Sequence, residues 1–420
     1  MPMTAEPTTP RTGKRFLLLS PILPYPPDSG AVQRTFLLFK ALQAIGHVDF
    51  LLVGDYRVPE HLLPTLRAEF NYLGHVPRQY GRWAPQEWGI GVSRIDKPLQ
   101  RLVYSALGWR YTFFDSTAMR SAVAERLASG HYDAVVTRYL TTAYQAGVIG
   151  HPALYVDLDD LESEVWASRA AAEKRKLLPQ LYGRIAASYR QKERELVARC
   201  AGVWVTKTKD LQAFDKGAVR MLPNIPFASY PQGVEPLTPA QRPIILGVGV
   251  YDWLPNREGF NWFVREVWPH VRRAVPDAEL HLVGKLSDEA LKQQWSQTPG
   301  VRYLGRVDDL QAAYQSALFT IAPLFGGGGT NIKVIESLAY GRSCVVTPHA
   351  IKGFEMMDGL HIACDANEFS RKCEELLRDF NGTVRAGSAA AHQANQSFSF
   401  SSFSRAISES LRPQLLPLPK

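Results

Sequence analysis

A run of glycines joined to a polar helical segment has the clearest chemical content in this sequence. In order, its residues are Gly326, Gly327, Gly328, Gly329, Thr330, Asn331, Lys333 and Glu336. Glycines let backbone N–H groups approach an anion without obstruction from a Cβ atom. The start of a helix adds unpaired N–H donors and a favourable dipole, whereas a lysine in that first turn is unfavourable by itself. We therefore expect Lys333 and the glycine loop to bind an anion.

The position of Glu336 suggests that the anion belongs to a nucleotide. Thr330 fits the N-cap of the helix, and Glu336 follows six residues later, roughly 9 Å along the axis. This separation resembles the span between the terminal phosphate and the ribose of a nucleoside diphosphate. Lys333 and Glu336 share a helix face, so a flexible loop followed by an exposed ion pair is the alternative. The sequence lacks G-x-x-x-x-G-K-[ST], which disfavours ATPase chemistry.

Short apolar runs alternate with longer amphipathic stretches along the chain, as in strands buried on both faces of a parallel sheet. We predict strands at residues 15–20, 48–53, 133–138, 153–157, 202–206, 244–248, 279–283, 301–304, 319–322 and 344–347. We predict helices at residues 35–45, 183–200, 257–274, 287–296, 308–317, 331–340 and 366–380. The alternation predicts an α/β fold built from Rossmann-like, doubly wound parallel sheets.

The length of 420 residues exceeds what one hydrophobic core usually supports, so two domains are expected. We predict a disordered N-terminus at 1–14, an N-terminal domain at 15–222 and a C-terminal domain at 244–396. The proline-rich stretch 223–243 is predicted to be a linker. The segment 397–420 contains one modest helix and could cross back to the first domain.

The composition argues against several classes of protein. Four scattered cysteines without CxxC pairs indicate neither a zinc site nor a disulfide framework. We expect no signal peptide and no membrane-spanning helix, since no apolar run has the required length. The net charge of +8 fits a nucleic acid, an anionic membrane or a phosphorylated small molecule. Without a zinc-finger, homeodomain or RNP motif, nucleic acid is not expected as a partner.

Residues 244–375 resemble the donor-binding half of the GT-B family-4 glycosyltransferases, within the glycine-rich branch of these retaining enzymes. Three motifs in order carry the resemblance: VGVYDWLPNREGFNWF, GVRYLGRVDDLQAAYQSALFTIAPLFGGGGTNIKVIESLAYG and AIKGFEMMDGLHIACDANEF. The resemblance implies two Rossmann-like domains facing a cleft, with a nucleoside-diphosphate sugar as donor. UDP- or GDP-sugars are expected, and no cofactor or metal is expected to be required.

The resemblance also assigns roles to individual residues. Glu336 would hold the ribose hydroxyls, while Lys333 and the backbone of residues 326–330 would bind the diphosphate. Val307, which follows Arg306, would lie near the base.

Two side chains that are usual in the family are missing. Gly328 takes the place of the first glutamate of the family's pair, which would contact the donor sugar. A usual lysine is absent near Asn256, and Arg257 and Lys285 are possible substitutes for it.

The N-terminal half resembles the same family more weakly. In PYPPDSGAVQR, Gly30 fits a family loop over the diphosphate, and Arg34 fits a basic position near the acceptor. A plain proline-glycine turn is the alternative.

An acidic run closes the predicted strand at 153–157, on the sheet edge where such folds bind ligands. Asp159 stands where relatives carry a histidine near the donor sugar, so it is a candidate catalytic residue with Lys333 and Glu336. A helix N-cap role for Asp159 or Asp160 is the alternative.

Basic and aromatic residues interleave between residues 78 and 114, as in surfaces that contact anionic lipid headgroups. The candidate acceptor or membrane residues there are Arg82, Trp83, Trp88, Trp109 and Arg110. The alternative is an aromatic-rich helical insertion packed on the acceptor domain.

The resemblance implies a retaining, hexosyltransferase-like enzyme (EC 2.4). It would move a sugar to a hydroxyl of a glycan or polyprenyl-linked acceptor in bacterial surface polysaccharide assembly. We expect it in the cytoplasm, peripherally on the inner face of the membrane. The alternatives are a nucleotide-sugar epimerase or hydrolase on the same fold and a noncatalytic sugar-nucleotide binding protein.

Overall fold

The computed structural model describes residues 13–27, 29–55, 58–77, 116–173, 178–214, 218–226, 243–326, 330–353 and 356–411. The chain divides into two compact units. The first comprises Met1–Pro223 together with Phe403–Lys420, and the second comprises Asn224–Ser402. Within the described ranges, no helix has the length and apolar character needed to cross a membrane.

A parallel sheet of seven strands forms the first unit. Its strands are β1 (Arg15–Ser20), β2 (His47–Val53), β3 (Tyr72–Val76), β4 (Ala134–Arg138), β5 (Leu154–Asp159), β6 (Gly202–Val205) and β7 (Val219–Met221). They are hydrogen-bonded in the order β3-β2-β1-β4-β5-β6-β7. The order changes direction between β1 and β4, which makes their carboxyl ends the switch point where such sheets bind ligands.

Helices connect these strands, because parallel neighbours need a crossover connection. They are α1 (Gly30–Gln43), α2 (Leu63–Phe70), α3 (Thr117–Ser129), α4 (Leu140–Gln145), α5 (Glu162–Ala172), α6 (Leu178–Val197) and α7 (Thr208–Gln212), and a 3₁₀ turn, Glu60–Leu62, precedes α2. The core between sheet and helices is apolar and includes Leu17, Val135, Val156 and Leu196.

The second unit has a six-stranded parallel sheet in the order β10-β9-β8-β11-β12-β13. Its strands are β8 (Ile244–Val248), β9 (Glu279–Val283), β10 (Val301–Gly305), β11 (Phe319–Ala322), β12 (Cys344–Val346) and β13 (Leu360–Ile362). Its helices are α8 (Leu254–Trp262), α9 (Trp268–Ala274), α10 (Glu289–Gln297), α11 (Leu310–Ser316), α12 (Ile332–Ala339), α13 (Ala366–Arg378) and α14 (Phe380–Phe398). A π-helical turn, Phe263–Val267, joins α8 to α9.

The last described helix, α15 (Phe400–Ser410), packs on the first unit. The indole Nε1 of Trp204 on β6 donates a hydrogen bond of 3.1 Å to Ser410 Oγ. Phe403 and Ile407 are buried on the same helix.

The predicted α/β class with two parallel-sheet domains is confirmed, and the strands at 15–20, 244–248, 279–283 and 319–322 have the predicted bounds. The edge strands β3 and β7 were not predicted. Every residue of β3 is half-buried, and β7 has three residues, so neither gives the continuous apolar run of a central strand.

Glycine permits one close contact that places α8 against the end of β11. A Cβ atom added to Gly259 would lie 1.7 Å from the carbonyl oxygen of Pro323. Helix α8 therefore packs directly on the backbone that leads into the glycine loop. The same helix carries Asn256 and Arg257.

We expect Gly259→Ala to destabilise the second unit by at least about 2 kcal/mol, because backbone must move to make room for the methyl group. Gly183→Ala is the matched control, since Gly183 lies within α6 and a Cβ atom there meets open space. That control should gain roughly 0.5–1 kcal/mol, the usual effect of replacing glycine in a helix. Urea unfolding of both variants measures the difference, and equal effects would contradict this account of the packing.

Candidate functional site

The glycine loop leaves β11 and leads to α12 at the carboxyl edge of the second sheet. A Cβ atom at Gly326 would meet none of the described residues within 4 Å. Gly327, Gly328 and Gly329 lie outside the described residues, which resume at Thr330.

The start of α12 differs from the prediction in one respect. The N-cap residue is Asn331 and not Thr330, and Asn331 makes no side-chain capping bond. Its Nδ2 instead donates 2.9 Å to the carbonyl oxygen of Ala350. Thr330 Oγ1 is buried and has no hydrogen-bond partner within the described part of the chain. Within that part of the chain, the hydrogen-bonding capacity of this hydroxyl is therefore unused.

Lys333 lies in the first turn of α12, which holds no acidic residue. Its Nζ donates 2.5 Å to Asn256 Oδ1, and Asn256 Nδ2 donates 2.8 Å to the carbonyl oxygen of Val250. Burial lowers the pKa of Lys333 to about 8. The structure thus holds a poorly solvated ammonium at the positive end of a helix dipole, an arrangement that favours an anion.

Glu336 follows on the same face of α12. Tyr314 Oη donates 2.9 Å to Glu336 Oε2. Burial raises the pKa of Glu336 to about 7, although the Tyr314 bond and the Lys333 charge oppose that rise. Among the described residues the partners of Lys333 and Glu336 are Asn256 and Tyr314, so the alternative of an exposed Lys333–Glu336 ion pair is wrong.

The remaining candidate donor-binding residues of the second unit lie in different surroundings. Val307 packs against the apolar cluster that includes Tyr314 and Tyr340, near Glu336. Arg306 is exposed and Arg257 is half-buried. Lys285 Nζ lies 3.5 Å from Asp252 Oδ2. Lys285 is thus an exposed ion-pair partner, and it does not join Asn256 and Lys333.

In the first unit, two arginines and two aspartates meet at the carboxyl ends of β4 and β5. Arg34 Nη2 donates 2.6 Å to Asp157 Oδ1, and Arg138 Nε donates 3.0 Å to Asp157 Oδ2. Arg138 Nη2 donates 2.6 Å to Asp159 Oδ2. Burial by itself would raise the pKa of Asp157, but the two guanidinium groups hold it below its usual range. The carboxylate is therefore ionised, and the pair of arginines fixes its position.

These contacts correct the expectation for Arg34. Its side chain is 2% exposed, and its Nη2 also donates to the carbonyl oxygen of Leu222. It is therefore a buried structural residue and not a surface contact for an acceptor or a membrane. Gly30 is the first residue of α1, one turn before Arg34.

Asp159 is held in an unusual backbone conformation. Its φ is +60°, and Tyr139, at the end of β4, has a φ of +67°. Non-glycine residues in this region are strained, and such strain concentrates at functional sites. The side chain of Asp159 is 17% exposed, so it is the member of the four-residue network that solvent reaches.

The alternative capping role is wrong for both aspartates. The N-cap residue of α5 is Leu161. At the start of α5, the carboxylate of Glu193 on α6 accepts hydrogen bonds from both N and Oγ of Ser163. Asp160 pairs with Lys207 Nζ at 2.5 Å.

Comparison with known proteins identifies the reaction class. Residues 242–379 match the family model of the group 1 glycosyl transferases. The second unit is a group 1 glycosyltransferase domain, and the chain is a glycosyltransferase. No curated protein matches the sequence.

Solved structures show the fold of the whole glycosyltransferase. Sucrose-phosphate synthase from Thermosynechococcus elongatus is 17% identical with a TM-score of 0.63, over 95% of this chain and 98% of that one. HepE from Anabaena in complex with UDP is 13% identical with a TM-score of 0.63, over 94% and 99%. WaaG, a glycosyltransferase involved in lipopolysaccharide biosynthesis, is 14% identical with a TM-score of 0.57, over 95% and 100%. The similarity confirms the predicted GT-B architecture.

Sequence reasoning missed four residues of the glycosyltransferase: Arg138, Tyr314, Arg342 and Asp210. Arg138 bonds Asp157, Tyr314 bonds Glu336 and Arg342 bonds Tyr314 across 19 to 28 positions of the sequence, which local patterns do not reveal. The segment with Arg82, Trp83, Trp88, Trp109 and Arg110 lies outside the described residues. Within the described ranges, no group of three or more histidine, cysteine or acidic side chains could hold a metal ion.

Asp210 in the first turn of α7 is buried beside the Asp160–Lys207 pair. Its Oδ2 has no hydrogen-bond partner within the described part of the chain. Burial raises the pKa of Asp210 from 3.8 to about 6, so the folded state disfavours the ionised form. The resulting penalty is absent below about pH 4 and complete above about pH 6.

We therefore expect Asp210→Asn to stabilise the first unit at pH 8 by about 1–2 kcal/mol, and to change its stability little at pH 4. The amide keeps the shape of the side chain and removes the buried charge. Urea unfolding of wild type and variant at both pH values measures the effect. A gain of the same size at pH 4 and pH 8 would show that ionisation of Asp210 is not its cause.

Proposed function

We propose that the enzyme transfers a sugar from a nucleoside-diphosphate sugar to a hydroxyl of a glycan or lipid-linked acceptor, with retention of configuration. The observation that carries the proposal is the ammonium of Lys333 at the positive end of α12. It has a neutral amide as its partner, and the Thr330 hydroxyl, which has no partner among the described residues, precedes it in the chain. A diphosphate supplies the negative charge and the oxygen acceptors that such a site favours.

The rest of the donor would follow the face of α12. Glu336 is the acceptor for the ribose hydroxyls, because a carboxylate pairs well with two neighbouring hydroxyl groups. Val307 offers an apolar contact to the base, and Arg306 and Arg257 offer further cationic contacts. UDP- and GDP-sugars are the donor classes that we propose.

The charge arrangement also suits the reaction. As the bond between the sugar and the diphosphate breaks, negative charge develops on the leaving phosphate. Lys333 and the positive end of α12 are in place to stabilise that charge before the reaction begins, which is how preorganised sites lower a barrier. We assign no covalent nucleophile and no metal to this step.

For the first unit we propose a role in placing a reacting hydroxyl. Asp159 is the exposed member of the buried ion-pair network, and Arg138 fixes its orientation through a bond of 2.6 Å. A carboxylate held in this way can accept a hydrogen bond from a sugar hydroxyl in one orientation. The residue would act as a positioned acceptor.

Complexes of similar structures support this choice of substrates. HepE was solved with UDP, with UDP and glucose, and with UDP-glucose. A TarM variant was solved with fondaparinux, alpha-GlcNAc-glycerol and UDP. Together with WaaG, which is involved in lipopolysaccharide biosynthesis, these similar structures favour bacterial surface polysaccharide assembly as the pathway. We propose a cytoplasmic enzyme at the inner face of the membrane, to whose anionic lipids the net charge of +8 is suited.

A thermal-shift screen with UDP, GDP and their sugars tests the donor class, because a ligand that binds only the folded state raises its stability. We expect one nucleotide to stabilise the wild type. Lys333→Met should weaken binding of that nucleotide by about 10- to 100-fold, the usual effect of losing a charge-assisted bond. Lys292→Met is the control, since Lys292 pairs with Glu289 on α10.

A folded protein that none of these nucleotides stabilises would contradict the proposal. Equal affinities for the Lys333 and Lys292 variants would contradict the assigned diphosphate site. Turnover of the sugar nucleotide at the same rate with and without any acceptor would favour an epimerase or a hydrolase over a transferase.

A further inference from the structure

Tyr314 touches the carboxylate that the proposed function assigns to the ribose. The residue lies on α11, and its hydroxyl donates 2.9 Å to Glu336 Oε2. The side chain is 1% exposed, so the bond is shielded from water. One oxygen of Glu336 is therefore engaged in the unliganded protein.

The tyrosine itself is held from two sides. Its ring stacks on Tyr340, with ring centroids 4.5 Å apart and an angle of 14° between the planes. Arg342, which is 3% exposed, donates from Nε to the carbonyl oxygen of Tyr314 at 2.8 Å. Its Nη2 donates to the carbonyl oxygen of Gln315 at 3.2 Å. The turn after α12 thereby ties the end of α11 to the helix that carries Glu336.

This arrangement restricts the orientation of the Glu336 carboxylate. A carboxylate on a free side chain rotates among several orientations, and a bound ribose would have to fix it. Here a rigid donor fixes the carboxylate before the ligand arrives, which lowers the cost of binding.

We infer that Tyr314 is a positioning residue of the nucleotide site. By bonding Glu336 Oε2, it orients the carboxylate so that Oε1 accepts a hydrogen bond from a ribose hydroxyl. Arg342 supports the same arrangement through the backbone of α11. The inference rests on the proposed function, because it concerns the affinity of the nucleotide that this function requires.

The charges around Glu336 give the proposal a signature in pH. The titratable and charged groups that face Glu336 or its immediate partners are Lys333, Tyr314, Tyr340, Arg342 and Cys344. Burial raises the pKa of Glu336 to about 7, and the Tyr314 bond limits the rise. Loss of that bond should therefore raise the pKa further. If nucleotide binding requires an ionised Glu336, affinity will then begin to fall at a higher pH than in the wild type as the pH is lowered.

The experiment is isothermal titration of UDP, or of GDP if the screen selects it, into four proteins between pH 6 and pH 9. They are the wild type, Tyr314→Phe, Glu336→Gln and the control Tyr303→Phe. Tyr303 also donates its hydroxyl to one acceptor in this unit, the carbonyl oxygen of Gly284, and it does not contact Glu336.

We expect the wild-type affinity to fall as the pH drops below about 7, in addition to any change from the phosphate itself. In Tyr314→Phe that fall should begin about one pH unit higher, so that affinity is about fivefold weaker at pH 7, nearly tenfold weaker at pH 6 and within about twofold at pH 9. Glu336→Gln should lose this fall and keep only the changes due to the nucleotide and to Lys333, whose pKa is about 8. Tyr303→Phe should follow the wild type.

A Tyr314→Phe profile that coincides with the wild type would overturn the inference. So would an equal loss of affinity at every pH, which a merely structural role of Tyr314 would produce. If the folded wild type binds neither UDP nor GDP, the proposed function itself fails.

Discussion

An ammonium group that is poorly solvated at the positive end of a helix is unfavourable unless an anion joins it. Lys333 is close to this situation, because its hydrogen-bond partner Asn256 is neutral, and Glu336, whose charge acts on it, lies beyond the first turn and bonds Tyr314. The contact between Gly259 and Pro323 brings α8, with its Asn256, against the start of the glycine loop. Helices α8 and α12 and the strand β11 thus meet around Lys333, and the proposed donor site depends on an anionic ligand that balances its charge.

The first unit buries a network of ion pairs. Two buried arginines surround Asp157, and their hydrogen bonds compensate the cost of burying charge. This network leaves one polar group near solvent, the strained and oriented Asp159. The arrangement gives the carboxyl edge of this sheet a fixed acceptor, while the second unit has a fixed cation. Each unit thus has a charged group of its own at the carboxyl edge of its sheet, a carboxylate in the first and an ammonium in the second.

Much of this structure could be predicted from local sequence. Apolar residues predominate in the central strands β8, β9 and β11, whose bounds could be predicted, whereas the half-buried edge strand β3 has no such signal. The glycine loop with Lys333 and Glu336 could also be recognised, because all its residues lie within one short segment. The N-cap at Asn331 could not be recognised in this way, because its side chain bonds the carbonyl oxygen of Ala350, 19 residues later in the sequence. Arg34 was misassigned because its partner Asp157 is 123 residues away, and Tyr314 was missed because its hydroxyl meets Glu336 only once α11 and α12 are packed.

A crystal structure of the protein grown with UDP tests the central claim most directly. We expect diphosphate oxygens within ~3 Å of Lys333 Nζ and of the main-chain amides at the start of α12, with a ribose hydroxyl at a similar distance from the Glu336 carboxylate. Density for UDP at any other place, or a ribose turned away from Glu336, would contradict it.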